Sequence, residues 1–116
     1  MTSPSHFLSR EFTRAIAERQ LLLVTGATTR QIVVRLGEPV RDVPTVVEPD
    51  WRCPIQIEGS DYPSPPPGVG VDSLEALLGG IKIAHMHLAL IERESGGVLH
   101  WLGELGHSVP DIPLAG

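Results

Sequence analysis

The chain has 116 residues, 41% of them apolar, and 9 basic against 14 acidic side chains leave a formal net charge of −5. A chain of that size buries roughly two thirds of the surface its unfolded form exposes, enough for a modest core without metal or disulfide staples. The lone Cys53 excludes an internal disulfide and a multi-cysteine zinc or iron–sulfur centre and fits a reducing cytoplasm. Scattered basic residues in an acidic chain (pI near 5.4) speak against nucleic acid as a partner. No run approaches the roughly 18 apolar residues of a membrane span, and Met1–Arg10 lacks the basic start and apolar stretch of a signal peptide. The expectation is a soluble cytoplasmic protein forming a single domain over 1–116, irregular through about Arg10 and over the tail 108–116.

Taken in chain order, the first ordered segment reads two ways. Phe12, Ala15, Ile16, Arg19 and Leu23 keep helical spacing, whereas Leu21–Val24 suits a strand. The favoured reading is a strand over Ala15–Thr25 that turns at Gly26 into a second strand, Gln31–Leu36, in which Ile32, Val34 and Leu36 alternate with Gln31, Val33 and Arg35. Leu21–Thr29 also resembles the strand and glycine turn that opens short-chain-dehydrogenase-like nucleotide-binding domains. The further glycines and the later acidic residue are missing and the chain is too short for a doubly wound sheet, so no nucleotide cofactor is expected.

Glu38–Asp50, with three prolines, and Gly59–Gly70, with four, read as connections; pre-set polyproline-like φ angles make the second a rigid strut. Between them Trp51–Glu58 places Trp51, Cys53, Ile55 and Ile57 on one face and Arg52, Pro54, Gln56 and Glu58 on the other, as in a half-buried strand. Pro54 cannot donate to a ladder, so it lies at a sheet edge, at a non-bonding position or at a bulge.

The clearest element begins at Asp72, which with Glu75 forms a capping box ahead of Leu74, Leu77, Leu78, Ile81, Ala84, Leu88 and Ile91. The spacing predicts a helix from Ser73 to about Arg93, with Glu75, Lys82, Met86, Ala89 and Arg93 on its wet side. Apolar and small residues cover roughly two thirds of its circumference, more than one sheet can bury. The Ala76, Gly80, Ile83, Leu90 flank therefore needs another cover, either the chain's own Pro-rich loops and tail or another subunit. Gly79-Gly80 costs about 1 kcal/mol per glycine relative to alanine. The row Ala76, Gly80, Ala84 would let another backbone approach closely. Val98–Gly103, after the turn Ser95-Gly96-Gly97, reads as a last strand.

Candidate chemistry is sparse. His85-Met86-His87 looks like a metal motif, yet on a helix its imidazoles point about 200° apart and cannot share an ion. No metal is expected; His85 lines the core edge and His87 the second apolar flank. Cys53 faces inward as a small apolar residue, and no Cys/His or Ser/His/Asp set emerges from the spacing, so no catalytic residue is assigned. Trp51 and Trp101 read as core or core-edge aromatics, and Tyr62, set among prolines, as a rigid contact anchor.

Arg35–Pro39 (RLGEP), Asp50–Gly59 (DWRCPIQIEG), Gly70–Ile81 (GVDSLEALLGGI) and the late HWLGE together resemble a bacterial family of uncharacterised small domains. That resemblance implies two or three strands, a Trp-Arg-Cys-Pro strand, a Gly-Val-Asp-capped helix and a last strand with Trp; it implies no activity, cofactor or catalytic residue. Gly79-Gly80 departs from the alanine or larger apolar residues of the family helix.

The expected fold is α+β, a small antiparallel sheet with one principal helix packed on one face in two layers. The expected function is a non-enzymatic protein-binding domain, immunity- or antitoxin-like, masking a basic partner with its acidic surface and facing it with Tyr62, Ala76, Gly80, Ile83 and His87. Two alternatives stand beside it: a small enzyme or ligand binder with a site between the helix, Tyr62, His100 and the Pro-rich loop, and a homodimeric structural protein using the helix flank.

Overall fold

The computed structural model describes residues 8–101 and 104–108, with side chains from Leu8 to His100. The long hairpin expected at the start is present. β1 (Ala15–Thr25) pairs antiparallel with β2 (Thr28–Gly37) from Ala15 opposite Gly37 to Thr25 opposite Thr28. Its two-residue turn places Gly26 at φ 60°, the left-handed position that glycine adopts without a Cβ penalty and that a primed hairpin turn requires.

Trp51–Glu58 is not one strand. Pro54 breaks it into β4 (Asp50–Cys53) and β5 (Ile55–Glu58), and the two halves join different sheets. Proline cannot donate to a ladder, and its carbonyl instead accepts the Gly37 N–H at 2.8 Å, tying the end of β2 to the crossing point. Both Pro-bearing connections also contain short strands, β3 (Val40–Val43) and β6 (Gly68–Gly70). Strands β3, β4 and β6 form a three-stranded sheet in that order. After the helix α1 (Ser73–Ser95), β7 (Val98–Trp101) is followed by an unexpected β8 (Glu104–Ser108), completing a five-stranded sheet of order β5-β2-β1-β7-β8. Among the described residues every pairing is antiparallel, and the fold is α+β. Ser108, expected to open the irregular tail, instead ends β8; residues 1–7 and 109–116, for which irregular structure is also expected, lie outside the described residues.

α1 forms as its sequence dictates. Asp72 accepts the Glu75 N–H at 2.7 Å, satisfying one orphan donor of the first turn, and Glu75 reaches back to the N–H of Val71, the residue before the cap, at 2.8 Å. The helix runs two residues past Arg93 and stops where Gly96 enters the left-handed region at φ 74°, its N–H bonding the Glu92 carbonyl.

The buried row of α1 is Ala76, Gly80, Ala84, Leu88 and Ile91. Its C-terminal part joins Leu21, Leu23, Ile32, Val34, Ile55, Ile57 and Leu99 in the core of the large sheet. Its N-terminal part lies on the small sheet at backbone distance. A Cβ on Gly68 would stand 2.1 Å from the Gly80 nitrogen and 2.5 Å from the Ala76 carbonyl oxygen, and one on Gly80 would stand 3.0 Å from Cys53 Sγ. The small-residue row is thus filled by β6 and β4 of the same chain.

Arg52, expected on the wet face, is 3% exposed. Its Nε and Nη2 donate to the Asp42 carboxylate at 2.7 and 3.1 Å and its Nη1 to the Glu11 carbonyl at 2.7 Å, so each guanidinium nitrogen has an acceptor and the carboxylate is held bidentately.

α1 contains an 18-residue stretch of mean hydropathy 1.4, long and apolar enough by length and composition to cross a membrane. Part of that apolarity is the buried row. The rest faces outward, where Leu74, Leu78 and Met86 are 62%, 39% and 61% exposed.

Candidate functional site

Because α1 rests on the sheets along one narrow row, a cleft runs along each of its flanks, and each cleft holds one histidine. The first, about 210 Å³, lies between the helix and the β1–β2 surface and is walled by Ala17, Val34, Leu36, Ile81, Ala84 and His85. The second, about 290 Å³, lies between the helix and the Pro-rich segment and is lined by Pro65, Ile83, Met86, His87, Leu90 and Arg93. Helical rotation sends the His85 and His87 rings to opposite flanks, and among the described residues no group of three His, Cys, Asp or Glu side chains could hold a metal ion.

The wall of the second cleft is fixed from within. Ser64 Oγ accepts the Ile57 N–H at 2.8 Å and donates to the Ile57 carbonyl at 3.3 Å, fastening the Pro-rich segment to β5. Ser60 Oγ accepts the Tyr62 N–H at 2.8 Å, and half-buried Tyr62 packs on the core. The Pro63 carbonyl bonds the His87 ring, while His87 Nε2 is buried without a hydrogen-bond partner. Burial pushes the His87 pKa down, and the Pro63 bond opposes that shift only in part. The ring is therefore neutral at pH 7, and its buried nitrogen can serve a ligand or a partner side chain. His85 Nδ1 is likewise buried without a hydrogen-bond partner at the first cleft.

Of the residues expected to face a partner, Ile83 and His87 line the second cleft, and Tyr62 precedes the Pro63 that bonds His87. Ala76 and Gly80 face β6 and β4 instead, Ala76 with no exposed surface. The alternative site joining Tyr62, His100 and the helix does not assemble. Leu99 is fully buried against α1, so the alternation of β7 turns His100 to the opposite side of the sheet. Asp61, beside Tyr62 in the Pro-rich segment, pairs with Arg30 at 2.8 Å. The side chains of Trp101, Glu104 and His107 lie outside the described residues.

Cys53 is fully buried, donates to the Gly37 carbonyl at 3.4 Å, and has its thiol pKa pushed up by burial to about 11, so it is no nucleophile at neutral pH. On the outward face of the large sheet Arg35 bonds Glu18 at 2.7 Å, Gln56 at 3.0 Å and Glu58. Hydrogen bonds from Arg35 and Gln20 hold the Glu18 carboxyl below its ordinary value. These are structural pairs across neighbouring strands. The first cleft left no mark in the sequence, because its walls come from three elements whose facing residues are far apart in the chain.

A family model described as Domain of unknown function (DUF6968) matches residues 17–110, a span that includes both clefts and all of α1. No curated protein and no solved structure matches the chain.

Proposed function

The chain belongs to the family Domain of unknown function (DUF6968), and we propose that it is a non-enzymatic protein-binding domain that holds a segment of a partner protein in the cleft between α1 and the Pro-rich segment. The observation that carries this reading is the cleft itself. Apolar walls from Ile83, Met86, Leu90 and Pro65 converge on one buried, unpartnered imidazole nitrogen, and one wall is pinned to β5 through Ser64. Few polar groups in an apolar, pre-formed groove is the usual make-up of a recognition site, and a pinned loop loses little conformational entropy on binding. The net charge of −5 favours a basic partner, in the manner of an immunity or antitoxin protein. Cytoplasmic residence fits the same reading.

The test is co-purification from the native cell with tagged wild-type chain, Pro65→Asp and His87→Ala side by side. The wild type should retain one protein that both variants lose while keeping native circular dichroism. Retention of nothing, or of the same protein by all three, overturns the reading.

A second reading follows from the unpartnered His85 nitrogen in the other cleft, whose mainly apolar lining also includes Glu18 and Arg19 and suits a small ligand with an apolar body and a polar end. Thermal-shift screening with short-chain fatty acids and alcohols should then raise the melting temperature of the wild type and not of His85→Phe.

A further inference from the structure

The outward side of α1 is a third surface, sharing only Met86 and Arg93 with the rim of the Pro65 cleft. It carries Leu74, Leu78 and Met86 exposed to different degrees, with Lys82 and Ala89 on the same side. A surface helix ordinarily turns charged and polar residues to solvent there.

We propose that this side docks a second copy of the same chain, the two helices packing antiparallel about a two-fold axis near position 84. The charge pattern selects this occupant and this orientation. Glu75, in the first turn, and Arg93, in the last, are 18 residues apart, which is five helical turns, so both lie on one line along the exposed side, about 27 Å from each other. In an antiparallel pair each Glu75 meets the Arg93 of the other copy, giving two identical ion pairs at the ends of the contact, as an isologous interface requires. Parallel packing would set Glu75 against Glu75 and Arg93 against Arg93. The same register lays the Lys82 stem along Met86 of the second copy and Leu78 against Ala89, whose small side chain admits close approach. Arg93 is available for this role: its side chain is 75% exposed and its only described ion pair is a 3.9 Å contact with neighbouring Glu94.

Sedimentation equilibrium of the full chain over a range of concentrations tests the pairing. The wild type should show a reversible dimer, and Leu78→Asp should raise the dimer Kd by about tenfold or more while keeping native circular dichroism. Arg93→Glu and Glu75→Arg should each be monomeric alone with native circular dichroism, the second also losing the Val71 N–H bond of the cap, and an equimolar mixture of the two should restore the dimer, because one copy then carries acids and the other bases at both ends. Loss of the dimer in each single variant reports the antiparallel register, since a parallel pair would already face like charges in the wild type. A wild-type monomer at every concentration, a dimer indifferent to Leu78→Asp, or a mixture that does not associate overturns the proposal. So does a monomer that sediments with phosphatidylcholine vesicles, which would assign the face to a lipid surface. Pro65→Asp should dimerise normally, so loss of the dimer and loss of a cleft-bound partner are read separately.

Discussion

Gly68 and Gly80 show how a residue that is poor by local criteria is required by a neighbour. Glycine in a helix interior costs about 1 kcal/mol relative to alanine, yet any side chain on Gly68 would enter the backbone of α1, 2.1 Å from the Gly80 nitrogen. Gly68→Ala should therefore lower stability by about 1–3 kcal/mol, read as a lower urea midpoint at unchanged slope. Arg52 is held by long-range partners, Asp42 and the Glu11 carbonyl. Asp42→Ala leaves a buried cation short of its two charge-assisted bonds and should cost about 1.5–3 kcal/mol; the same denaturation experiment reads it. His87 gives the pH dependence. Burial lowers its folded pKa below the ordinary 6.5, so on acidification the unfolded chain takes up the proton first. The stability due to the neutral ring is complete above about pH 6.5 and is lost as pH falls towards and through the lower folded value. Urea midpoints measured from about pH 7.5 to 5.5 should fall more steeply for the wild type than for His87→Phe; equal slopes would contradict this assignment. Alternation correctly placed Cys53 inside and wrongly placed Arg52 outside, because period-2 reasoning knows nothing of a carboxylate ten residues away in another strand.

At the scale of elements, legibility followed length. The β1–β2 hairpin and α1 span ten residues or more each, long enough to display a period, a turn glycine and a cap. β3, β6 and β8 have four, three and five residues, too few to show alternation, and two of the three positions of β6 are glycines. Pro54 was read as an irregularity within one strand, whereas it hands the chain from one sheet to the other; the partner sheet that decides this is not visible in Trp51–Glu58 itself. The capping box was legible because it is local, and it carries a local prediction. Asp72→Ala removes the acceptor of the Glu75 N–H and should destabilise the protein by about 0.5–2 kcal/mol, while Asp72→Asn should be close to neutral.

In the whole molecule α1 is the element that unites the parts. Its first half lies on the three-stranded sheet through Ala76 and Gly80, its second half on the five-stranded sheet through Ala84, Leu88 and Ile91. A single narrow contact row leaves two flanking clefts and an apolar outward side, and all three surfaces follow from packing one helix across two sheets. The residues Ile83 and His87 were legible as contact candidates because they sit on a second apolar flank of the helix. That Ala76 and Gly80 were already covered depended on β6, which the sequence conceals. The most direct measurement of the outward side as a docking face is hydroxyl-radical footprinting of Met86 across a concentration series. Met86, 61% exposed in the single chain, should be oxidised readily in dilute solution and in Leu78→Asp at any concentration, and become protected in the wild type as concentration rises. Oxidation of Met86 at one rate throughout would contradict it.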